Sequence, residues 1–280
     1  MSTDPRTPER IRHHFEVERE LAGRMRNSSR EERTELFKTL YTELFERVPD
    51  HPRLTRRDTE ESSRKNIESQ MRLLRPFLSE ETVFLEMASG DCRLSFAACE
   101  ICEKVIGVDI SDQRNPEDPE PENFELIVYD GDHLEIPDDS VDVAFSYQFL
   151  EHLHPDDVVP HFETILRILK PGGIYLFDSP HRFSGPHDVS RFFGDELQCF
   201  HFQEWSYREM LRLVKKCGFS EAKIVRRGKA LTNPFLIGLH QAIEAIVGIL
   251  PSSLRRRIAS RLFQSVTLVG TKPGSRSDHE

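Results

Sequence analysis

Glycine is scarce where it would be most diagnostic. The 280-residue chain has 14 glycines, but the loop Ala88–Ser89–Gly90–Asp91–Cys92, which follows the apolar run Val83–Phe84–Leu85, contains one. A dinucleotide-binding turn needs G-x-G-x-x-G at such a place, so a pyrophosphate cradle is a poor match. Cysteine is sparse and odd in number, five in all, which excludes a disulfide framework and points to reduced thiols in a cytosolic protein. Cys99-x-x-Cys102 lacks the second pair that a zinc site wants, and no metal is expected. Positive charge is in deficit: 38 Lys and Arg against 48 Asp and Glu give a net charge of -10, which argues against a general affinity for nucleic acid. No run is long and apolar enough to span a bilayer, and the first residues, MSTDPRTPERIRHH, lack the apolar core and cleavage site of a secretory signal.

What is present divides into two patterns. Residues 1–80 carry helical periodicity and no strand pattern, and read as an N-terminal helical appendage. Helices are expected from Thr7 to Arg26, from a Ser29/Glu32 capping box to the prolines of Val48–Pro49–Asp50–His51–Pro52, and from an Asp58 cap to Pro76. From Val83 onward apolar runs alternate with amphipathic stretches: Val83–Met87, Val105–Asp109, Phe124–Val128, Val141–Ser146, Ile174–Asp178, Ala222–Val225 and Val266–Gly270. The helices between them include Asp91–Glu103, Asp156–Leu169 and Tyr207–Cys217. Such alternation predicts a mostly parallel sheet covered on both faces, within an α/β domain over 81–273, with ligands beyond the carboxyl ends of the strands. A long loop, 179–204, follows the fifth strand, a helical insert occupies 226–262, and a disordered tail is expected at 274–280.

Glu86 ends the first strand ahead of a turn of small residues, where the backbone can approach a ligand closely. Asp109 ends the second strand about 20 residues further on, where an acid accepts hydrogen bonds from ribose hydroxyls. Asp132 follows the third strand, and its carboxylate suits an adenine amino group. Leu169–Lys170–Pro171–Gly172–Gly173 makes a turn into the fifth strand. In this order the motifs resemble those of class I S-adenosylmethionine-dependent methyltransferases. The acid-x-G-x-G-x-G loop stands as Glu86-x-Ala88-x-Gly90-x-Cys92, with two glycines replaced, and Gly131–Asp132, Ile136–Pro137, Val141–Asp142 and Lys216–Cys217–Gly218–Phe219 match further segments. Asp142 itself reads as a strand-entry residue away from the pocket.

The resemblance covers about 83–225 plus the last strand. It implies a Rossmann-like, doubly wound, seven-stranded sheet and S-adenosyl-L-methionine as cofactor. It places Glu86, Ala88, Ser89, Gly90, Asp109, Ile110, Asp132 and His133 at the cofactor, with Ser146 and Tyr147 at its methionine end. The implied reaction is methyl transfer to oxygen or nitrogen of a small-molecule acceptor, which the loop SGPHDVSR marks as polar or the insert at 234–262 as lipid-linked. The alternatives are a non-catalytic binding protein that kept the fold and, third, a nicotinamide oxidoreductase. His152 is a candidate base, and His181, His187 and Asp188, with Arg182 and Arg191, are candidates in the loop that faces the acceptor. In the insert, apolar residues from Phe235 to Leu250 precede Arg255, Arg256, Arg257 and Arg261. A lid or homodimer helix is the first reading of that pattern and a peripheral membrane contact the second.

Overall fold

The computed structural model of the chain describes residues 4–55, 60–131, 133–226 and 228–274. The expected cap at Asp58, the cofactor candidate Asp132 and the tail beyond 274 lie outside the described residues. Helix α1 (Pro8–Arg26) starts behind Thr7, and α2 (Arg30–Arg47) starts behind the reciprocal box of Ser29 and Glu32. Each cap satisfies backbone N–H groups that a helix start leaves without partners. A single turn, α3 (Pro52–Thr55), and α4 (Glu60–Leu74) follow.

The sheet consists of β1 (Val83–Met87), β2 (Lys104–Asp109), β3 (Phe124–Val128), β4 (Val141–Tyr147), β5 (Leu169–Pro180), β6 (Glu221–Arg226), β7 (Lys229–Ala230) and β8 (Ser265–Thr271). Their spatial order is β3-β2-β1-β4-β5-β8-β6-β7. The pairs from β3 through β5 are parallel, and β8 lies antiparallel between β5 and β6. The sheet has one strand more than the sequence suggests, because the two residues of β7 fold back on β6. The strand order reverses at β1, which lies between β2 and β4, and the crevice between their carboxyl ends is where such sheets take ligands.

Residues alternate across the sheet as strands require. Phe84, Val105, Val143, Phe145 and Leu176 face one side, against α4 and α5 (Arg93–Cys99). Leu85, Val108, Ala144, Tyr175 and Phe177 face the other, against α6 (Pro155–Ile168), α7 (Tyr207–Lys216), α8 (Pro234–Gly248) and α9 (Ser252–Leu262). The helix expected over Asp91–Glu103 is shorter, since Cys92 has φ 60, a left-handed conformation that an α-helix cannot include.

The N-terminal segment packs on the rest of the chain in two places. Its α4 belongs to the layer on the sheet, through Met71 and Leu74. Its α1 and α2 form a separate roof, with Leu21, Met25, Leu40 and Leu44 packed together and closed by Phe200 of the long loop after β5. Arg33 of α2 grips the carboxylate of Asp157 on α6 with Nε and Nη2, each at 2.6 Å. Arg26 at the end of α1 donates to the carbonyls of Gln198 and Cys199 at 2.7 and 2.8 Å.

Candidate active site

Under this roof, over the carboxyl ends of β1, β2 and β4, lies a cavity of about 600 Å³, within the roughly 300–1,000 Å³ range of small-molecule sites. Its floor at β2 is polar. Asp109 lines it, with Oδ2 accepting from Gly90 N at 2.9 Å and Oδ1 accepting from Gln113 Nε2 at 3.1 Å. Gln113 Oε1 in turn accepts from Arg53 Nη2 at 3.2 Å, so the roof reaches down to the strand end. The wall toward β4 is aromatic, from Tyr41, Phe45, Tyr147, Phe149 and Phe200, with Glu18, His51 and His152 among them.

The β1–α5 loop turns three times through left-handed φ, at Ala88 (57), Gly90 (55) and Cys92 (60). At an L-residue this costs roughly 1–2 kcal/mol, and such strain is held where the surroundings over-determine it. Gly90 is needed for its φ and not for room, since a Cβ there would meet nothing within 4 Å. Ala88 and Ile110 reach the cavity wall. Ser89 is buried in the loop, its hydroxyl accepting from Cys92 Sγ.

Glu86 is placed beneath this loop and not on the cavity wall. Its side chain points to the sheet face of Phe84, where Ser95 Oγ lies 2.6 Å from Oε2, and burial pushes its carboxyl up to about 8. Ser146 is likewise under the surface, bonded to the Tyr175 hydroxyl at 2.7 Å, whereas its neighbour Tyr147 lines the cavity. His133 is exposed on the turn after β3, where its backbone N–H donates to Asp130. Asp142 accepts from Val83 N and Lys170 Nζ at the far edge of the sheet, as the sequence suggests.

Of the expected catalytic residues only His152 lines the cavity. Its Nδ1 lies 3.1 Å from the carbonyl oxygen of Phe200. A carbonyl only accepts, so Nδ1 carries the proton and Nε2 is left as an acceptor. Burial pushes its pKa down to about 3. Beside it are His201 and Glu151, each with a ligating atom within 4.8 Å of the others. Glu151 Oε2 accepts from Ser179, Oε1 is buried without a partner among the described residues, and burial pushes the carboxyl up to about 7.

The other three candidates hold the fold instead. His181 is wholly buried, bonded to Glu244 Oε1 at 2.8 Å and stacked on Phe263. His187 pairs with Glu204 at 3.1 Å. Asp188 accepts from the backbone N–H groups of Ser190 and His201. Each knits the long loop to itself or to α8, because the loop packs under α1 before any of these side chains reaches the cavity. The roof residues Tyr41, Arg53 and Glu18 carry no motif. The Val48–Pro49–Asp50–His51–Pro52 break was the one local signal, since it turns His51 and Arg53 toward the site.

Residues 85–177 match the methyltransferase domain family. A probable S-adenosylmethionine-dependent methyltransferase of Mycolicibacterium smegmatis (strain ATCC 700084 / mc(2)155) is 35% identical over 88 residues. Residues 85–177 thus carry an S-adenosylmethionine-dependent methyltransferase domain. The aligned stretch is 31% of this chain and 31% of that relative. Solved structures share the fold of the methyltransferase domain. Haemonchus contortus phosphoethanolamine N-methyltransferase 1 superposes with a TM-score of 0.56 and 15% identity, over 90% of this chain and 52% of that one. A chain from the complex between the Haloferax volcanii Trm112 methyltransferase activator and the putative methyltransferase gives 0.54 and 19%, over 80% and 95%.

The residues present fit S-adenosylmethionine. Asp109 stands on the wall at the β2 end, and its carboxylate accepts from Gly90 N, Ser111 N and Gln113 Nε2, which leaves about one of its roughly four lone-pair sites for a hydroxyl donor. The loop keeps left-handed turns at 88, 90 and 92 although two of its three glycines are replaced. The replaced glycines therefore leave the left-handed turns of the β1–α5 loop in place.

Proposed function

We propose that the protein transfers the methyl group of S-adenosylmethionine to a hydroxyl or amine of an apolar, ring-bearing small molecule. The observation that carries this is the single cavity joining Asp109 to His152 beneath an aromatic wall. Bound cofactor would supply an electrophilic sulfonium methyl, and the protein supplies position and surroundings. Asp109 would accept from a ribose hydroxyl, with Ala88 and Ile110 against the nucleoside and Tyr147 toward the methionine end. Tyr41, Phe45, Phe149 and Phe200 would hold the acceptor ring, and holding two reactants in line contributes roughly 7–11 kcal/mol. His152, neutral and with Nε2 as an acceptor, would take the acceptor's proton. The roof of α1 and α2 would cover the same space. The non-catalytic reading rests on the replaced glycines, and the left-handed backbone at Ala88 and Cys92 weighs against it.

The test is calorimetric titration with S-adenosylmethionine, followed by an acceptor screen over apolar phenols and amines. Micromolar binding is expected, weakened at least about tenfold in Asp109→Ala, which corresponds to about 1.4 kcal/mol. Folded protein that binds no cofactor, or binds it equally well in Asp109→Ala, would overturn the assignment.

A further inference from the structure

Helix α8 is apolar on its outward face as well as on its inward one, where Val247 and Ile243 join the core. A helix on a domain surface normally turns its apolar stripe inward and its polar residues to water. In α8 the sole acid, Glu244, is 2% exposed, with its carboxylate accepting from Tyr207 N and Arg208 N and bonded to His181. His240 lies on the same inward face, both ring nitrogens buried without a partner among the described residues. Phe235, Leu239, Ala242, Ile246 and, just past the helix end, Ile249 recur at spacings of four and three, the repeat of one helical stripe. That stripe faces outward: Phe235 is 74%, Ile246 61% and Ile249 83% exposed. Large apolar side chains exposed together in this way mark a surface that another phase or molecule covers.

Within the segment that carries the stripe, the exposed charges are of one sign. From Gly228 to Leu262 the basic residues are Lys229, Arg255, Arg256, Arg257 and Arg261, and the one acid is the buried Glu244, in a chain whose overall charge is -10. In α9, Ala259 is buried, and the opposite face presents Leu254, Arg257 and Arg261, all exposed. Arg256 pairs with Asp195 and Arg255 lies over the Phe183 ring, whereas Arg257 and Arg261 have no ion-pair partner among the described residues. A self-complementary contact between two copies would set these arginines against each other. A flat anionic surface would match them, with the apolar stripe entering the acyl boundary. No helix among the described residues is long and apolar enough to cross a membrane, so α8 would lie in the interface plane.

We propose that α8 and α9 form a docking face for an anionic lipid bilayer. The docking itself does not rest on the methyl-transfer reading. Joined to that reading, it explains an aromatic acceptor cavity. Glu244 ties α8 to His181 just past β5, at the same sheet edge as the cavity, so docking brings that edge to the bilayer and to acceptors dissolved in it.

The test is co-sedimentation of the full chain with vesicles of phosphatidylcholine alone and of phosphatidylcholine mixed with phosphatidylglycerol, beside light scattering. The expected result is a monomer that sediments with the mixed vesicles, less so as salt is raised. Arg257→Gln with Arg261→Gln is expected to weaken that binding by roughly tenfold or more. Phe235→Ser with Ile249→Ser, two changes at exposed positions, is expected to abolish it while leaving S-adenosylmethionine binding intact. No sedimentation, or sedimentation indifferent to both pairs of changes, would overturn the proposal. So would a dimer that Phe235→Ser with Ile249→Ser splits, which would make a second copy the occupant. Cofactor titration of the same samples keeps this failure distinct from a failure of the proposed activity.

Discussion

His152→Ala is expected to lower kcat by about 10²–10⁴-fold, the usual range for a positioned acid or base, while the Kd for S-adenosylmethionine stays unchanged. Three features of the structure set this expectation. The side chain lines the cavity at the end proposed for the acceptor, the Phe200 carbonyl fixes the proton on Nδ1, and burial pushes the ring's pKa down to about 3. A base held so low needs help once it takes a proton. Glu151, adjacent and with one carboxylate oxygen unpartnered among the described residues, is in place to give it. Burial raises Glu151 to about 7, with Asp178 pushing the same way and His201 opposing. As pH rises through about 7 Glu151 ionises and stabilises the developing imidazolium. The rate should therefore rise across that range in the wild type, and Glu151→Gln should remove the rise. A flat profile in the wild type, or equal losses of kcat and cofactor affinity in His152→Ala, would count against this assignment.

Glu18→Ala is expected to have the largest effect on stability. Glu18 is buried where α1, the turn before α3 and the long loop meet. Its Oε2 lies 2.5 Å from His14 Nε2 and 3.9 Å from His51, and Oε1 accepts from Phe200 N at 3.1 Å. Removing one partner of a buried charged network costs roughly 3–5 kcal/mol. At roughly 2–4 °C per kcal/mol for a chain of this order, the melting temperature should fall by about 6–20 °C. The pH dependence has a definite sign. Burial alone would raise the Glu18 carboxyl, but the bonds from His14 and His51 outweigh it and hold the group down to about 2, below its ordinary 4.5. Its stabilisation is present in full above about pH 4.5 and is lost as pH falls from there toward 2. Melting curves of wild type and Glu18→Ala should differ most near neutral pH and converge in acid. Equal melting temperatures at neutral pH would show that the roof does not depend on this carboxylate. Because Phe200 also holds His152, Glu18→Ala should lower kcat as well.

The sequence by itself determined seven of the eight strands, the caps of α1 and α2, the loop after β1 and the placing of Asp109 at a strand end. These depend on neighbours a few residues apart: the alternation of Phe84 and Leu85, the Ser29–Glu32 pair, the spacing from Gly90 to Asp109. It also marked α8 and α9 as unusual, since an apolar helix followed by arginines is a local pattern. Which face of α8 would be inward was another matter. Glu244 turns in because His181 and the start of α7 offer it partners, and that forces Phe235 and Ile246 out.

Tertiary structure alone decided what the N-terminal helices do and which histidine reaches the site. The contacts responsible join residues far apart in the chain, such as Arg26 to Gln198, Glu18 to Phe200 and Arg33 to Asp157. No periodicity encodes such pairings, because closing a long loop is governed by the sum of contacts at both ends and not by propensity at either. Hence His187 and Asp188, well placed by sequence order, are consumed in holding their own loop, and His181 in tying it to α8. Tyr41, Arg53 and Phe200, without any motif, wall the cavity in which His152 is set.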